Sequence, residues 1–352
     1  MVKKEIPNGS IRIRVKDLAP VRKNSRGYSD CKDYDNSNIK HTFKMYKHHK
    51  NHKLLIDSKD QLFLKGYLDK DGNVRGERIQ TLPSGKKLDR AFSLFSPHLT
   101  IHDQTNNSHW DVIYQNPNGE FAYLYSEDKI RKSNMKKYEL VDEFDLALPK
   151  LKRNVMKAID NNEFISLPML TLIKTYIRIG SEIYFKRNNH KGLVTLQKSN
   201  IKINKNNVLF DFISKDGVPQ KIDLEFPEIY VKKLSKRLRS IDNESYVFCD
   251  NNGNKLIERD FHEAFKRYCS KEFYPHIVRS HFATSSVRRF LEKNKSPEKE
   301  DIIALYDNIA ETLGHKKFSK KNNCWEPNHT VTVSHYVSPD LVDKLNKFVK
   351  NK

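Results

Sequence analysis

The chain has few cysteines and no long apolar run. Its four cysteines lie far apart and form no CxxC pair, so neither a disulfide framework nor a zinc site is expected. No segment approaches the roughly 20 apolar residues that a membrane span needs. The N-terminal stretch MVKKEIPNGS also lacks the apolar core of a secretory signal. These absences predict an intracellular protein with reduced thiols.

Acidic residues are scarce relative to basic ones. The sequence has 65 Lys and Arg against 44 Asp and Glu, a formal net charge of +21. Such an excess predicts a polyanionic partner, most commonly a nucleic acid. A membrane surface is the alternative, but the basic residues are spread along the chain and are not gathered beside one amphipathic anchor. With 352 residues, the chain is long enough for two domains.

The first half of the sequence predicts a polar arm followed by β-structure. Residues 1–52 are polar, basic and rich in turn residues, which predicts a mostly irregular arm. Residues 53–130 contain short apolar runs cut by turns, which predicts a β-rich domain. Apolar residues alternate around an NPNG turn, as expected for a hairpin, at Val112, Tyr114, Phe121 and Tyr123.

The second half, residues 131–352, has helical periodicity. Apolar residues recur at three- and four-residue steps at Leu140, Phe144, Leu148, Leu151 and Val155. Pro149 within this stretch should kink the helix or begin a new one. Residues 192–226 instead contain β-type runs separated by turns, which predicts a small sheet inserted in the helical domain. The fold class expected is therefore α+β, with a β-rich N-terminal lobe and a mainly helical C-terminal domain.

Three short segments place a cationic or imidazole side chain at a predicted helix boundary. Arg178 lies close to Gly180, His276 and Arg279 share one helical face, and His315 follows Gly314, a natural residue to end a helix. Two arginines and a histidine provide the fixed donors that a pentavalent phosphorane needs. Arginines at helix ends are more often surface ion-pair partners. Four other histidines compete with His315 for the imidazole role: His276, His281, His329 and His335. The order of the motifs therefore matters more than any one residue.

The order of these motifs resembles a known family. RIGSEIY, GLVTL and ISKDG occur in that order and resemble the type IB DNA topoisomerases of poxviruses and bacteria. HIVRSHFAT resembles a box that these enzymes share with tyrosine recombinases. KKYELVDEFDLALPKLKRNV is similar to the stretch that links the two domains of the family. The resemblance covers about Phe63 to Asp340 and implies the DNA breaking-rejoining enzyme fold, in which residues 53–130 help to clamp DNA.

The resemblance implies roles for five residues in a relaxation reaction. Arg178 and Arg279 would hold the scissile phosphate, and His315 would be a third donor to its oxygens. Lys215, beside an Asp-Gly turn, would be the general acid for the leaving 5′ oxygen. Tyr336, just before the last predicted helix, would be the nucleophile that forms a 3′-phosphotyrosyl link.

The resemblance also implies supporting residues and partners. Tyr184 matches a supporting tyrosine of the family, and Lys132, Lys136 and Lys137 are candidate DNA contacts next to the β-rich domain. The expected partner is double-stranded DNA bound by a monomer. No metal, nucleotide or other cofactor is expected, and SGKK at residues 84–87 lacks the flanking residues of a P-loop. Abundant Lys, Asn and Ile indicate an AT-rich genome, so the expected location is the cytoplasm, the nucleus or a virion.

Two departures from the family keep alternatives open. His276 stands where these topoisomerases usually have lysine, and histidine is the choice of the recombinases. Tyr336 follows His315 by 21 positions, a longer spacing than the family leads us to expect. The intervening segment 316–335 is polar and basic and could follow the DNA backbone. A tyrosine recombinase is the first alternative, and a DNA-binding protein without catalytic activity is the second.

Overall fold

A computed structural model of the protein describes residues 5–102 and 109–350. The chain forms two compact units, Met1–Lys136 and Lys137–Lys352. The boundary between them falls inside one long helix. None of the described helices combines the length and the apolar composition that crossing a bilayer requires.

The N-terminal unit is built mainly from short antiparallel strands. A five-stranded sheet has the order β3-β2-β1-β4-β5. Its strands are β1 Ile11–Ile13, β2 Pro20–Asn24, β3 Gly27–Asp30, β4 Tyr67–Leu68 and β5 Val74–Arg75. A second sheet pairs β6 Ile79–Thr81 with β7 Lys87–Phe92. The third contains β8 Thr100–Ile101, β9 Val112–Gln115 and β10 Phe121–Leu124, and the helix α1 spans Ser37–His48.

The predicted irregular arm is wrong, because most of residues 11–48 belong to β1, β2, β3 and α1. Arg12 is one of the basic residues of this stretch. Its side chain is buried, and its guanidinium pairs with Asp57 at 2.7 Å and Asp60 at 2.8 Å while lying over the ring of Phe63. A basic residue in a short strand suggests a solvated segment, but these carboxylates satisfy its charge from more than 40 positions away.

The predicted hairpin around the NPNG turn is confirmed. Tyr114 pairs with Ala122 and Val112 with Leu124 in the β9–β10 ladder. Gly119 has a φ of 84°, a left-handed conformation that glycine adopts without strain. Val112 and Leu124 are buried in the core of the unit, so the alternation in the sequence correctly gives the inward face.

The long helix α2, Glu127–Asp160, carries the apolar stripe that the sequence predicts. Phe144, Leu151 and Val155 are fully buried along it. The helix continues through Pro149, so no new segment begins there. The buried face on both sides of the proline offsets the loss of one backbone hydrogen bond.

The C-terminal unit is mainly helical and contains the predicted inserted sheet. Antiparallel strands β11 Ile201–Asn204, β12 Asn207–Ile213 and β13 Pro219–Glu225 form that sheet. The helices that follow α2 are α3 Ser166–Thr175, α4 Glu182–Asn188, α5 Glu228–Arg239, α6 Glu258–Cys269, α7 Ile277–Lys293, α8 Lys299–Leu313, α9 His329–His335 and α10 Pro339–Lys350. The predicted α+β class is therefore confirmed.

The segment between His315 and Tyr336 has regular structure. Strands β14 Lys316–Ser319 and β15 Cys324–Pro327 form an antiparallel hairpin, and α9 follows it. The backbone N–H of Asn328 donates to the carbonyl of His315 at 2.7 Å, which closes the base of the hairpin. The two ends of the hairpin therefore lie next to each other, beside His315, and α9 begins directly after it.

Replacing Phe144 with alanine should destabilise the C-terminal unit strongly. Its ring lies edge-on to Phe265, Phe273 and His281, and removal would leave a cavity costing about 3–5 kcal/mol of unfolding free energy. Leu146→Ala on the same helix, where the side chain is 84% exposed, should change it by less than about 0.5 kcal/mol. Urea unfolding of both variants tests this, and equal losses would contradict the packing.

Candidate active site

Arg178 is held by a close approach of two glycines. Gly180 has a φ of 85°, and a Cβ on Gly192 would lie 2.5 Å from the Cα of Gly180, so neither position tolerates a side chain. The N–H of Leu193 donates to the carbonyl of Arg178 at 2.8 Å. This crossing fixes the backbone of Arg178 just after α3 and explains why glycine occupies both positions.

Lys215 lies at the turn between β12 and β13 of the inserted sheet. Asp216 has a φ of 64° and Gly217 one of 75°, and the N–H of Ser214 donates to the carbonyl of Val218 at 2.8 Å. This tight turn leaves the Lys215 side chain exposed. An exposed ammonium on a turn is free to approach a ligand.

Arg279 lies near the start of α7 and is 2% exposed. Its guanidinium donates to the carbonyls of Tyr176 and Leu313, the latter at 2.7 Å. These carbonyls lie at the C-terminal ends of α3 and α8, where a positive charge is favourable. Burial, with the nearby charge of Arg178, lowers the pKa of Arg279 to about 10. Its buried Nε has no hydrogen-bond partner among the described residues.

His315 follows Gly314, which ends α8 with a φ of 67°. Its Nε2 lies 3.0 Å from an Arg279 nitrogen, and its Nδ1 lies 2.8 Å from the hydroxyl of Thr332. Because a guanidinium only donates, Nε2 is the acceptor and Nδ1 carries the proton of the neutral ring. Burial, followed by the charges of Arg279 and Arg178, lowers the pKa of His315 to about 3.

Tyr336 lies at the junction between α9 and α10. Its hydroxyl is 2.7 Å from Nε2 of His276, and its ring centroid is 4.6 Å from that of His315. The Arg279 guanidinium lies 5.4 Å from the ring centroid. Burial, together with the charge of Arg279 and other cations, lowers the pKa of His276 to about 3. The tyrosine hydroxyl therefore faces a neutral imidazole that can accept a hydrogen bond from it.

Two cavities bring the predicted residues together. Arg178, Lys215, Arg279 and His315 line one. Arg178, Lys215 and Arg279 also line a second cavity, together with His276 and Tyr184. Tyr336 itself is only 4% exposed and is connected to these cavities through His276 and Arg279. The structure thus gathers residues from five separated stretches of the C-terminal unit.

The three predicted DNA-contacting lysines have different surroundings. Lys132 and Lys136 are exposed on α2 within the N-terminal unit. Lys137 belongs to the C-terminal unit, is half-buried, and donates to the carbonyl of His335 beside Tyr336. Lys137 therefore differs from the other two candidates, because its side chain packs within the C-terminal unit beside Tyr336.

Sequence reasoning missed several residues of this site. Lys191 and Gln220 line the first cavity, and Thr332 holds His315. The hydroxyl of Thr284 donates to the carbonyl of Tyr336 at 3.2 Å. The one available signal was the position of Lys191 directly before Gly192. The other residues are ordinary in type and position, and only the tertiary contacts single them out.

Comparisons with known proteins identify the family of the chain. A family model described as the catalytic core of eukaryotic DNA topoisomerase I matches residues 126–338. The chain belongs to this family of type IB topoisomerases. The resemblance inferred from the motifs is therefore confirmed, and the matched range includes every predicted catalytic residue.

The similar viral proteins are themselves topoisomerases. DNA topoisomerase 1B of Acanthamoeba polyphaga mimivirus is 25% identical over 232 residues, covering 59% of this chain and 68% of that protein. DNA topoisomerase I of Monkeypox virus is 25% identical over 205 residues, covering 56% of this chain and 64% of that protein. The chain thus spans about two thirds of the length of these relatives.

Among solved structures, the XerH site-specific recombinase bound to its difH substrate is similar in part. It is 17% identical, with a TM-score of 0.29, and the match covers 49% of this chain and 50% of that one.

The imidazoles of His276 and His315 should stay neutral from about pH 5 to 8 in the folded protein. Because both folded pKa values are about 3, below the usual 6.5 or so, only the unfolded chain takes up these protons on acidification. The free energy of unfolding should therefore fall as pH decreases below about 6.5.

Histidine ring NMR, assigned with His276→Gln and His315→Gln, measures the two pKa values directly. A midpoint between about 6 and 7 for either ring would contradict the burial seen here.

Proposed function

We propose that the protein relaxes supercoiled duplex DNA by cutting one strand with Tyr336 and resealing it. The observation that carries the proposal is the 2.7 Å contact between the Tyr336 hydroxyl and His276, beside Arg279 and His315. A phenol next to a neutral base, within reach of cationic donors, is arranged for attack on a phosphodiester.

The chemistry divides among the assembled side chains. The Tyr336 oxygen attacks phosphorus as its proton passes to His276, and the bond from phosphorus to the 5′ oxygen breaks. Lys215 gives a proton to the departing oxygen, which leaves a 5′ hydroxyl and a 3′-phosphotyrosyl link. The reverse steps reseal the strand. One phosphoester replaces another, so the reaction needs neither ATP nor a metal.

The charges of the cavity favour a bound phosphate. The charge of Arg178 is close enough to lower the pKa of Arg279. A phosphate bound between the two guanidinium groups would relieve this repulsion. The unpartnered Nε of Arg279 would gain an acceptor. His315 could donate to a phosphate oxygen only after a change of tautomer or protonation, because its Nε2 now accepts from Arg279.

We infer that the partner is double-stranded DNA, bound by a monomer without a nucleotide, and that the protein acts in the cytoplasm or nucleus or is carried in a virion. The viral relatives and the net charge of +21 support these inferences. A tyrosine recombinase remains the alternative favoured by His276, whose contact with Tyr336 would serve that chemistry equally well.

Tyr336→Phe should abolish both plasmid relaxation and covalent capture of DNA. The wild type should relax supercoiled plasmid in EDTA without ATP, because its own side chains supply every proton transfer. Relaxation assays and denaturing gels measure the two activities, and the variant should still bind DNA because its phosphate donors are unchanged.

An active Tyr336→Phe variant would show that another residue is the nucleophile. A wild type that exchanges strands between paired sites and never relaxes a plasmid would establish the recombinase alternative.

We also propose that the β14–β15 hairpin contacts the DNA backbone. Lys317, Lys320 and Lys321 are exposed on it, and Phe318, 48% exposed, pairs with Trp325 across the two strands. Exposed lysines next to aromatic rings suit a nucleic-acid surface.

Changing these three lysines to glutamine should weaken DNA binding and its dependence on salt. Each lost phosphate contact reduces the slope of log K against log salt by about 0.9, so a decrease of about 2–3 is expected. Asn322→Ala, which removes an uncharged side chain and its hydrogen bond to Glu326 on the same hairpin, should leave the slope unchanged. An unchanged slope in the triple variant would exclude the contact.

A further inference from the structure

Lys137 lies beside the proposed nucleophile although it is about 200 positions away in sequence. Its ammonium donates to the carbonyl of His335, the residue before Tyr336. Its Nζ lies 5.5 Å from the centroid of the Tyr336 ring and 5.1 Å from that of Tyr138. These contacts connect α2 to the short segment that carries the tyrosine.

The carbonyl of His335 needs a hydrogen-bond donor from outside its own helix. It lies at the end of α9, where the last carbonyls of a helix have no partner within the helix. Lysine side chains commonly satisfy such carbonyls. Lys137 does so from outside, so the end of α9 is fixed by a different helix.

The backbone of Tyr336 is held on its other sides as well. Its N–H donates to the carbonyl of Thr332 at 2.9 Å, and its own carbonyl accepts from Thr284 at 3.2 Å. Together with the hydrogen bond from Lys137 to the carbonyl of His335, three contacts fix the backbone around Tyr336. This backbone sets the direction of the phenol. Lys137 is the charged member of this set.

The charge of Lys137 also suits the proposed reaction. Negative charge develops on the Tyr336 oxygen as its proton leaves, and a cation within about 6 Å of the ring stabilises it. Burial lowers the pKa of Lys137 to about 8, so the side chain is still mostly charged at neutral pH.

We propose that Lys137 is a positioning residue for the nucleophile, which holds the end of α9 through the carbonyl of His335 and presents its charge to the ring of Tyr336. This inference rests on the proposed function of Tyr336. It differs from the role that the sequence suggested for Lys137, since a lysine that contacts DNA phosphates would act on affinity and not on the chemical step.

The test separates the chemical step from binding. Single-turnover covalent capture is measured on a duplex whose cut strand dissociates, and the Kd for the same duplex is measured in a Tyr336→Phe background. Lys137→Met should slow capture on the order of 10- to 100-fold, the effect expected of a displaced reacting group, and leave Kd within about twofold.

Two further variants complete the test. Lys137→Arg retains the charge and the donors, so it should recover most of the rate. Lys152→Met, an exposed position on the same helix, should capture DNA as fast as the wild type.

Several outcomes would overturn the inference. If Lys137→Met weakens Kd as much as capture, the side chain is a phosphate contact. If it captures DNA as fast as Lys152→Met, the side chain has no role in the step. A slow Arg variant with the same loss of melting temperature as the Met variant would indicate structural support alone. A wild type that forms no covalent adduct would refute the proposed function itself, a result distinct from these three.

Discussion

The buried guanidinium of Arg279 is the group on which the other contacts of the site depend. It lies among the ends of two helices, donating to the carbonyls of Tyr176 and Leu313 and to the ring of His315. Burying a cation is costly unless its donors are satisfied. The carbonyls at the C-terminal ends of α3 and α8 accept hydrogen bonds from its terminal nitrogens and carry partial negative charge. Arg279 therefore holds these two helix ends together beside the cavity.

The neutral state of the two imidazoles follows from this buried charge. Burial and the nearby arginines keep His276 and His315 unprotonated, which leaves His276 able to accept a hydrogen bond from Tyr336. The tyrosine also belongs to the small apolar core formed with α7, α8 and α10. The same packing that buries the phenol therefore fixes its direction.

The fold could be predicted where apolar residues alternate or recur locally. The hairpin around residues 116–119, the stripe on α2 and the inserted sheet were all predicted correctly. The strands of the first 30 residues were missed because that stretch is polar, basic and rich in turn residues. The structure buries one of its basic residues, Arg12. Its partners, Asp57 and Asp60, are more than 40 positions away, beyond the range of any local pattern.

The sequence by itself identified the candidate catalytic residues and the places where the chain must turn. Glycines at 180, 192 and 314 fix the backbone beside Arg178 and His315, and the order of the motifs identified the family. Only the tertiary structure decided which side chains meet. His276 contacts Tyr336 across 60 positions, and Lys137 reaches His335 across 198. Backbone preferences act over a few residues, whereas these contacts depend on how whole helices pack, and that packing is set by the entire core.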